Sequence, residues 1–384
     1  MADGDALIRR VVGCMTGTSL DGIDVALGLV CGQGLKEMSV EYGGMVSREM
    51  PSGLREGLLK IAEGGAVTGL EVLRLRRGLG ELHAEAVAEL VEQEGGQPVD
   101  LVVAHGQTVW HAPGDEAGAG GGVSWQLFDP WPVVRRLGVP VGYDLRQADL
   151  IAGGQGAPIT PVSDWVMYRG VADVVVNLGG IVNATWLHPD PQRVRGRDVY
   201  PCNLLLDGLC QRLLGESCDG DGAVALQGEV VPACMVMFTD AVDEVMRSGS
   251  LGREQFDGAW LDALASVLVA QASPSDVLRT ACHMIALTVG TAVMGQGRRV
   301  VLAGGGVKNK ALRSALVAWM RDVAGCTAVL SDEVGIPAEA REALGMAVLG
   351  ALSWDGVPIT LPGVTGAGEP GVAGAWVYPA GYER

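Results

Sequence analysis

The residues of this chain best suited to chemistry lie near its start, in Val12-Gly13-Cys14-Met15-Thr16-Gly17-Thr18-Ser19-Leu20-Asp21-Gly22-Ile23-Asp24-Val25-Ala26-Leu27. An apolar run leads into a turn of glycines, hydroxyls and a carboxylate. A second run follows, with Ile23, Val25 and Leu27 on one face and Asp24 and Ala26 on the other, which is the period of a strand. The segment therefore predicts strand–turn–strand. Such a turn offers backbone N–H groups and hydroxyls to a bound anion, and its glycines remove side chains that would block close approach. Asp21, in the turn, could hold a hydrated Mg²⁺ beside a polyphosphate. A Walker A site has a different build, strand–GxxxxGK[ST]–helix, and the chain contains no match to it. The structural alternative is an ordinary hairpin turn, for which Asp-Gly is itself a common signal.

The elements that must hold such a turn can be read further along. Residues 69–94 carry Leu, Val and Ala at helical spacing and predict one long helix, with a break at Gly78 or Gly80. Residues 101–104 predict a short strand that ends in His105-Gly106-Gln107-Thr108-Val109-Trp110-His111, and residues 139–142 predict another. Residues 114–122 predict an acidic, Gly-rich loop. A second strand–turn–strand falls at residues 173–186, around Asn177-Leu178-Gly179-Gly180-Ile181. A third glycine cluster, Gly304-Gly305-Gly306-Val307-Lys308-Asn309, lies between the apolar run Val300-Val301-Leu302-Ala303 and an amphipathic helix from Ala311. Residues 339–352 predict a helix.

The whole chain bounds these readings. With 384 residues, two domains are the natural expectation. The formal net charge of −17 supplies no broad basic surface for a nucleic-acid backbone, yet leaves room for one focused anion site. None of the eight cysteines forms a C-x-x-C pair. His105 and His111 are six residues apart with no third ligand, which argues against a metal centre and for a hydrogen-bonding role of His105. The acidic start and the short apolar runs carry no signal-type or bilayer-spanning pattern, so a reduced, cytoplasmic protein with unpaired thiols is expected.

Taken together, the residues resemble the anhydro-N-acetylmuramic acid kinase family nearly end to end. Met15-Thr16-Gly17-Thr18-Ser19-Leu20-Asp21-Gly22-Ile23-Asp24 is similar to its ATP-binding signature. His105-Gly106-Gln107-Thr108-Val109 and Asp144-Leu145-Arg146, then Gly153-Gly154-Gln155-Gly156-Ala157-Pro158, are similar to its substrate-side blocks. Asn177-Leu178-Gly179-Gly180-Ile181, Gly252-Arg253-Glu254-Gln255-Phe256, Gly304-Gly305-Gly306-Val307-Lys308-Asn309, Arg341-Glu342-Ala343 and Leu361-Pro362-Gly363-Val364-Thr365-Gly366-Ala367 follow in family order.

The resemblance implies a two-domain α/β protein with the actin-like, sugar-kinase (ribonuclease H-like) fold and an interdomain active-site cleft. Domain I would comprise residues 1–145 with about 358–384, and domain II residues 146–357. It implies an ATP- and Mg²⁺-dependent kinase that opens 1,6-anhydro-N-acetylmuramic acid with water and phosphorylates it on O6, as in peptidoglycan recycling. It also implies a small-molecule sugar substrate, a homodimer, and no nucleic-acid or membrane partner. Carried over residue by residue, Asp198 is the general base. ATP falls to Gly17, Thr18, Ser19, Leu20, Asp21, Gly22, Ile23, Asp24, Asn177, Gly179, Gly180, Gly304, Gly305, Gly306 and Asn309. The sugar falls to His105, Gln107, Thr108, Arg146, Gln155, Gly156, Asn203 and Glu342, and Mg²⁺ to Asp21 through water.

The sequence departs from the family beside the base. Where the family has Asp-Thr-Gly-Pro-Gly-Asn, this chain has Asp198-Val199-Tyr200-Pro201-Cys202-Asn203, so a threonine and two glycines are replaced. Glycine often marks a positive φ or a close backbone approach, so this loop is expected to differ in shape. Phe128 also stands where the family has glycine. Trp125, Trp131 and Tyr200 could form a sugar platform or simply fill core space, and Cys202 reads as a packing residue. The altered segment keeps two further readings open: a kinase for another anhydrosugar such as levoglucosan, and a non-catalytic nucleotide- and sugar-binding protein.

Overall fold

The structure is a computed structural model that describes residues 8–17, 20–114, 121–246, 256 and 258–383. It divides into two compact units: residues 1–169, 188–195 and 340–384 form the first, and residues 170–187 and 196–339 the second. Segments 146–169 and 340–357 thus belong to the first unit, whereas the resemblance assigned them to the second domain. The physical reason is a set of buried polar ties. Thr365 Oγ1 donates to Asp149 Oδ1 at 2.6 Å, and Arg9 pairs with Asp355 at 2.6 Å. A terminal nitrogen of Arg341 then joins the two segments to each other by donating to Asp164 Oδ2 at 2.5 Å.

The first unit is built on a six-stranded sheet from β1 (Ile8–Met15), β2 (Gly22–Cys31), β3 (Ser39–Glu49), β4 (Leu101–Ala104), β7 (Val141–Tyr143) and β13 (Ala375–Val377), in the order β13-β7-β4-β1-β2-β3. β1, β2 and β3 form an antiparallel meander, and β4 and β7 run parallel to β1. A separate hairpin joins β5 (Gln107–Ala112) to β6 (Val123–Leu127). The Arg341–Trp354 helix lies so close to the sheet that a Cβ on Gly13 would fall within 1.9 Å of the Ala343 carbonyl, and one on Gly350 within 2.0 Å of the Val103 side chain. Small residues at these points are what allow helix and sheet to touch. The Gly69–Gln93 helix is continuous through Gly78 and Gly80, contrary to the expected break. Gly80 serves an approach instead: a Cβ there would sit 2.3 Å from the Asp129 carbonyl.

The second unit is built on β8 (Val174–Leu178), β9 (Ile181–Trp186), β10 (Arg195–Pro201), β11 (Arg299–Ala303) and β12 (Thr327–Leu330), in the order β10-β9-β8-β11-β12. β8 and β9 are antiparallel, and β11 and β12 run parallel to β8. The two sheets therefore repeat one strand order, third–second–first–fourth–fifth, and each carries a glycine turn between its first two strands. The core of this unit is the apolar side of the sheet packed on the Pro274–Val293 helix, including Val277, Ala281, Ile285 and Val289. Among the described residues no helix is long and apolar enough to cross a membrane, and all eight cysteines are free thiols.

Candidate active site

The first glycine turn joins β1 to β2. Thr16 Oγ1 donates to the Gly106 carbonyl at 2.6 Å, and Gln107 Nε2 donates to the Gly17 carbonyl at 3.3 Å, so the segment after β4 braces the turn. Leu20 is buried at φ +57, a conformation costly for a leucine. Its carbonyl accepts from Arg55 Nε at 3.1 Å. The Asp21 carbonyl accepts from the Met50 N–H at 2.8 Å, and the residue itself is exposed. Gly22 is a sheet requirement as well as a turn residue, since a Cβ would come within 2.4 Å of the Arg48 carbonyl. The Ile23 side chain is core, and Asp24 Oδ1 accepts from Ser47 Oγ at 2.6 Å. Thr18 and Ser19 lie outside the described residues.

In the second unit three segments far apart in sequence meet. The backbone N–H groups of Cys202 and Asn203 donate to the carbonyls of Gly180 (2.9 Å) and Gly179 (3.1 Å), which seats the start of the Asn203–Leu214 helix on the second turn. Gly304, at φ +85, lies against Asn177: a Cβ would fall 2.5 Å from Asn177 Oδ1. A Cβ on Gly306 would fall 2.8 Å from the Leu178 Cβ and 3.1 Å from Asn203 Oδ1. Around Gly305 the space is open, with nothing within 4 Å of a Cβ position. Asn309 caps the Lys310–Trp319 helix, its Oδ1 accepting from the Leu312 N–H at 3.0 Å. Asn177, Gly179, Gly180, Asn203, Gly304, Gly305 and Gly306 thus share one corner of this unit. The Lys308–Glu339 ion pair lies on the same connection.

Asp198 is half-buried on β10, the strand that leads to this corner. The replaced residues do not form a glycine-like loop. Val199 and Tyr200 are buried in the apolar core of the second unit, and no residue from 198 to 203 has a positive φ. Val and Tyr suit such a strand. Tyr200 is therefore core, not part of a sugar platform. Cys202 is fully buried, and burial pushes its thiol far above the usual range, which fits packing.

The sugar-side residues of the first unit centre on Arg146. Its Nε and a terminal nitrogen contact His105 Nε2 at 3.1 and 2.9 Å, and its other terminal nitrogen donates to the Gly156 carbonyl at 2.7 Å. His105 Nδ1 lies 2.7 Å from the Gly106 carbonyl, so Nδ1 carries the proton and Nε2 accepts. Burial, then the Arg146 charge, holds the His105 pKa down to about 3. Burial pulls the Arg146 guanidinium down to about 10, against Asp149 and Glu342, which raise it. Asp149 Oδ2 accepts from the Gly156 N–H at 2.7 Å, and the Gln155 N–H donates to the Thr365 carbonyl at 2.9 Å. Glu342, half-buried in the first turn of its helix, faces the same charge. Thr108 Oγ1 accepts from Gln126 Nε2 at 3.1 Å.

Sequence reasoning missed Asp149 and Thr365 as the pair that fixes Gly154–Gly156. Their sequence separation of 216 leaves no local signal. Trp125 is half exposed and stands across from Trp110 in the β5–β6 hairpin, and Trp131 is exposed at the start of the Trp131–Leu137 helix. Residues 252–255 of the Gly252–Phe256 motif lie outside the described residues, whereas Phe256 is buried. Among the described residues no group of three or more His, Cys, Asp or Glu gathers to hold a metal.

The model of the family described as anhydro-N-acetylmuramic acid kinase matches residues 9–380. Among solved structures, the chain is similar to component A of the (R)-2-hydroxyglutaryl-CoA dehydratase of Acidaminococcus fermentans, at 13% identity and a TM-score of 0.46, covering 88% of this chain and 96% of that one. It is also similar to the activator of the 2-hydroxyisocaproyl-CoA dehydratase from Clostridium difficile, at 12% identity and a TM-score of 0.45, covering 90% and 96%. The family match runs through both glycine turns, the Arg146 cluster and the Gly304–Gly306 corner, and by it this chain belongs to the anhydro-N-acetylmuramic acid kinase family.

Proposed function

We propose the following assignment of this chain's residues to the family's reaction. The activity is the ATP-dependent, hydrolytic opening of 1,6-anhydro-N-acetylmuramic acid with phosphorylation to N-acetylmuramic acid 6-phosphate. In this reading Asp198 is the general base that takes a proton from the water attacking the anomeric carbon. The bond from that carbon to O6 breaks, and O6 takes the phosphoryl group. ATP with Mg²⁺ supplies that group and, through the metal, charge neutralisation at the phosphates.

The residues present suit a nucleotide. Glycine at 304 and 306 lets the corner close, and the open space at Gly305 leaves room for a ligand against the backbone. We assign the phosphates to Gly17, Thr18, Ser19, Leu20, Asp21, Gly22, Ile23 and Asp24 in the first turn, Ile23 through its backbone alone. We also assign ATP binding to Asn177, Gly179 and Gly180 in the second turn. Adenosine falls to Gly304, Gly305 and Gly306, with Asn309 holding the helix behind them. Asp21, being exposed, is suited to hold hydrated Mg²⁺. His105, Gln107, Thr108, Arg146, Gln155, Gly156, Asn203 and Glu342 take the sugar. His105, held neutral, orients Arg146 rather than moving protons.

The same strand order in both sheets supports the ribonuclease H-like, sugar-kinase form of the fold. A cytoplasmic homodimer without nucleic-acid or membrane partners completes the reading, and the −17 charge supports its nucleic-acid part.

The observation that carries the assignment is the family match through residues 9–380 together with the meeting of Asn177–Gly180, Asn203 and Gly304–Gly306. The test is ADP release with the muramic anhydrosugar and Mg²⁺-ATP, with levoglucosan in parallel. Turnover of the muramic sugar is expected. Turnover of levoglucosan alone would assign the altered Asp198 segment to a change of substrate, and silence with both would favour the non-catalytic reading.

A further inference from the structure

The β5–β6 hairpin carries a row of polar side chains, Thr108, Gln126, Ser124 and His111, whose hydrogen bonds do not close among themselves. Gln126 is only 9% exposed. One end of its amide lies 3.1 Å from Thr108 Oγ1 and 2.7 Å from Ser124 Oγ. The other end, Oε1, is buried without a protein partner.

Gln126 Nε2 is the end that donates to Thr108 Oγ1 and Ser124 Oγ, so the end left over is a carbonyl oxygen. Ser124 Oγ in turn donates to the Trp110 carbonyl at 3.3 Å and lies 2.9 Å from His111 Nδ1. Burial, then the Arg146 charge, holds the His111 pKa down to about 4, so its ring brings no positive charge to the row near neutrality. The row therefore leaves the Gln126 carbonyl oxygen as an acceptor that asks for a donor. A buried acceptor left unmade costs about 1–3 kcal/mol, a cost that a hydrogen-bond donor on a ligand would remove.

We propose that Gln126 is a substrate-binding residue whose Oε1 accepts a hydrogen bond from a donor on the sugar ring. This rests on the reaction assigned above. With the 1,6-bridge closed and O3 carrying the lactyl group, the ring substituents of that substrate offer two such donors, the acetamido N–H and the O4 hydroxyl. Gln126 reads one of them, and so helps to set which anhydrosugar is accepted.

The experiment measures kcat and KM for wild type, Gln126→Met and Gln126→Glu with the muramic anhydrosugar, its 2-deoxy analogue lacking the acetamido group, and its 4-deoxy analogue. Melting temperatures are recorded alongside. Losing one neutral hydrogen bond predicts a KM about tenfold higher in Gln126→Met with the full sugar, kcat changing much less. The penalty should vanish with the analogue that lacks the donor: the 2-deoxy sugar if the partner is the acetamido N–H, the 4-deoxy sugar if it is O4–H. Gln126→Glu, which keeps the shape and an acceptor, should bind the full sugar better than Gln126→Met, and Gln126→Leu, which also lacks the acceptor, gives the same readout as Gln126→Met if the methionine variant does not fold. A penalty that persists unchanged with both analogues, or no penalty at all, overturns the proposal. Failure of the wild type to turn over the full sugar would instead overturn the reaction assignment.

Discussion

The backbone N–H of Asn203 donates to the carbonyl of Gly179 at 3.1 Å. This bond ties the segment that carries Asp198 to the second glycine turn. Val199, Tyr200 and Cys202, which stand where the family has other residues, send their side chains into the core and leave the docking end of the segment on the turn.

Asp198→Asn should lower kcat by about 10²–10⁴-fold, the range for a lost general base, with ATP affinity within a few-fold of wild type. Single-turnover kinetics and nucleotide titration measure the two separately. Turnover within a few-fold of wild type would remove Asp198 from the mechanism.

Tyr200→Gly restores the family's residue but empties a core site in which Tyr200 is 4% exposed. It should destabilise the second unit by about 3–5 kcal/mol, as large-to-small core changes do. Chemical denaturation measures this, and unchanged stability would mean the tyrosine is not packed as described.

Two neighbouring glycines should separate packing from ligand contact. Gly306→Ala places a Cβ against Leu178 and Asn203 and should cost about 1–3 kcal/mol of stability as well as ATP affinity. Gly305→Ala meets nothing within 4 Å and should leave the melting temperature unchanged while raising the KM for ATP. Equal behaviour of the two variants in both assays would contradict the adenosine assignment.

Three histidines of the first unit give a pH dependence. Burial, the main cause in each, holds His83 to about 4, His105 to about 3 and His111 to about 4, against 6.5 in an open chain. As pH falls below 6.5 the unfolded chain takes up protons that the folded chain refuses, so stability falls toward acid and is recovered above 6.5. At pH 5 the two most deeply buried, His83 and His105, should each cost about 2 kcal/mol relative to pH 7. Denaturation midpoints across pH 5–8 check this. A stability that rises toward acid would mean these rings are protonated in the fold.

Much of this architecture was legible because it is local. Both strand–turn–strand units, the 101–104 strand and the strand-to-helix glycine cluster follow from alternation and turn chemistry within about twenty residues. What was not legible is long-range. The pairing of Arg9 with Asp355 spans 346 positions and that of Asp149 with Thr365 spans 216, and they tie to the first unit segments that were expected in the second. Gly80 looked like a helix breaker, but its reason is the Asp129 carbonyl beside it. Tyr200 looked out of place in a loop, whereas the structure makes that stretch a strand with a core face.

The coupling of ring opening to phosphoryl transfer is tested most directly by running the reaction in H₂¹⁸O and analysing the products by mass spectrometry. The account predicts one ¹⁸O in the sugar phosphate, at the anomeric hydroxyl, none in the phosphoryl group, and one ADP per sugar. Unlabelled sugar phosphate, or ADP released with ¹⁸O-labelled inorganic phosphate and intact anhydrosugar, would contradict it.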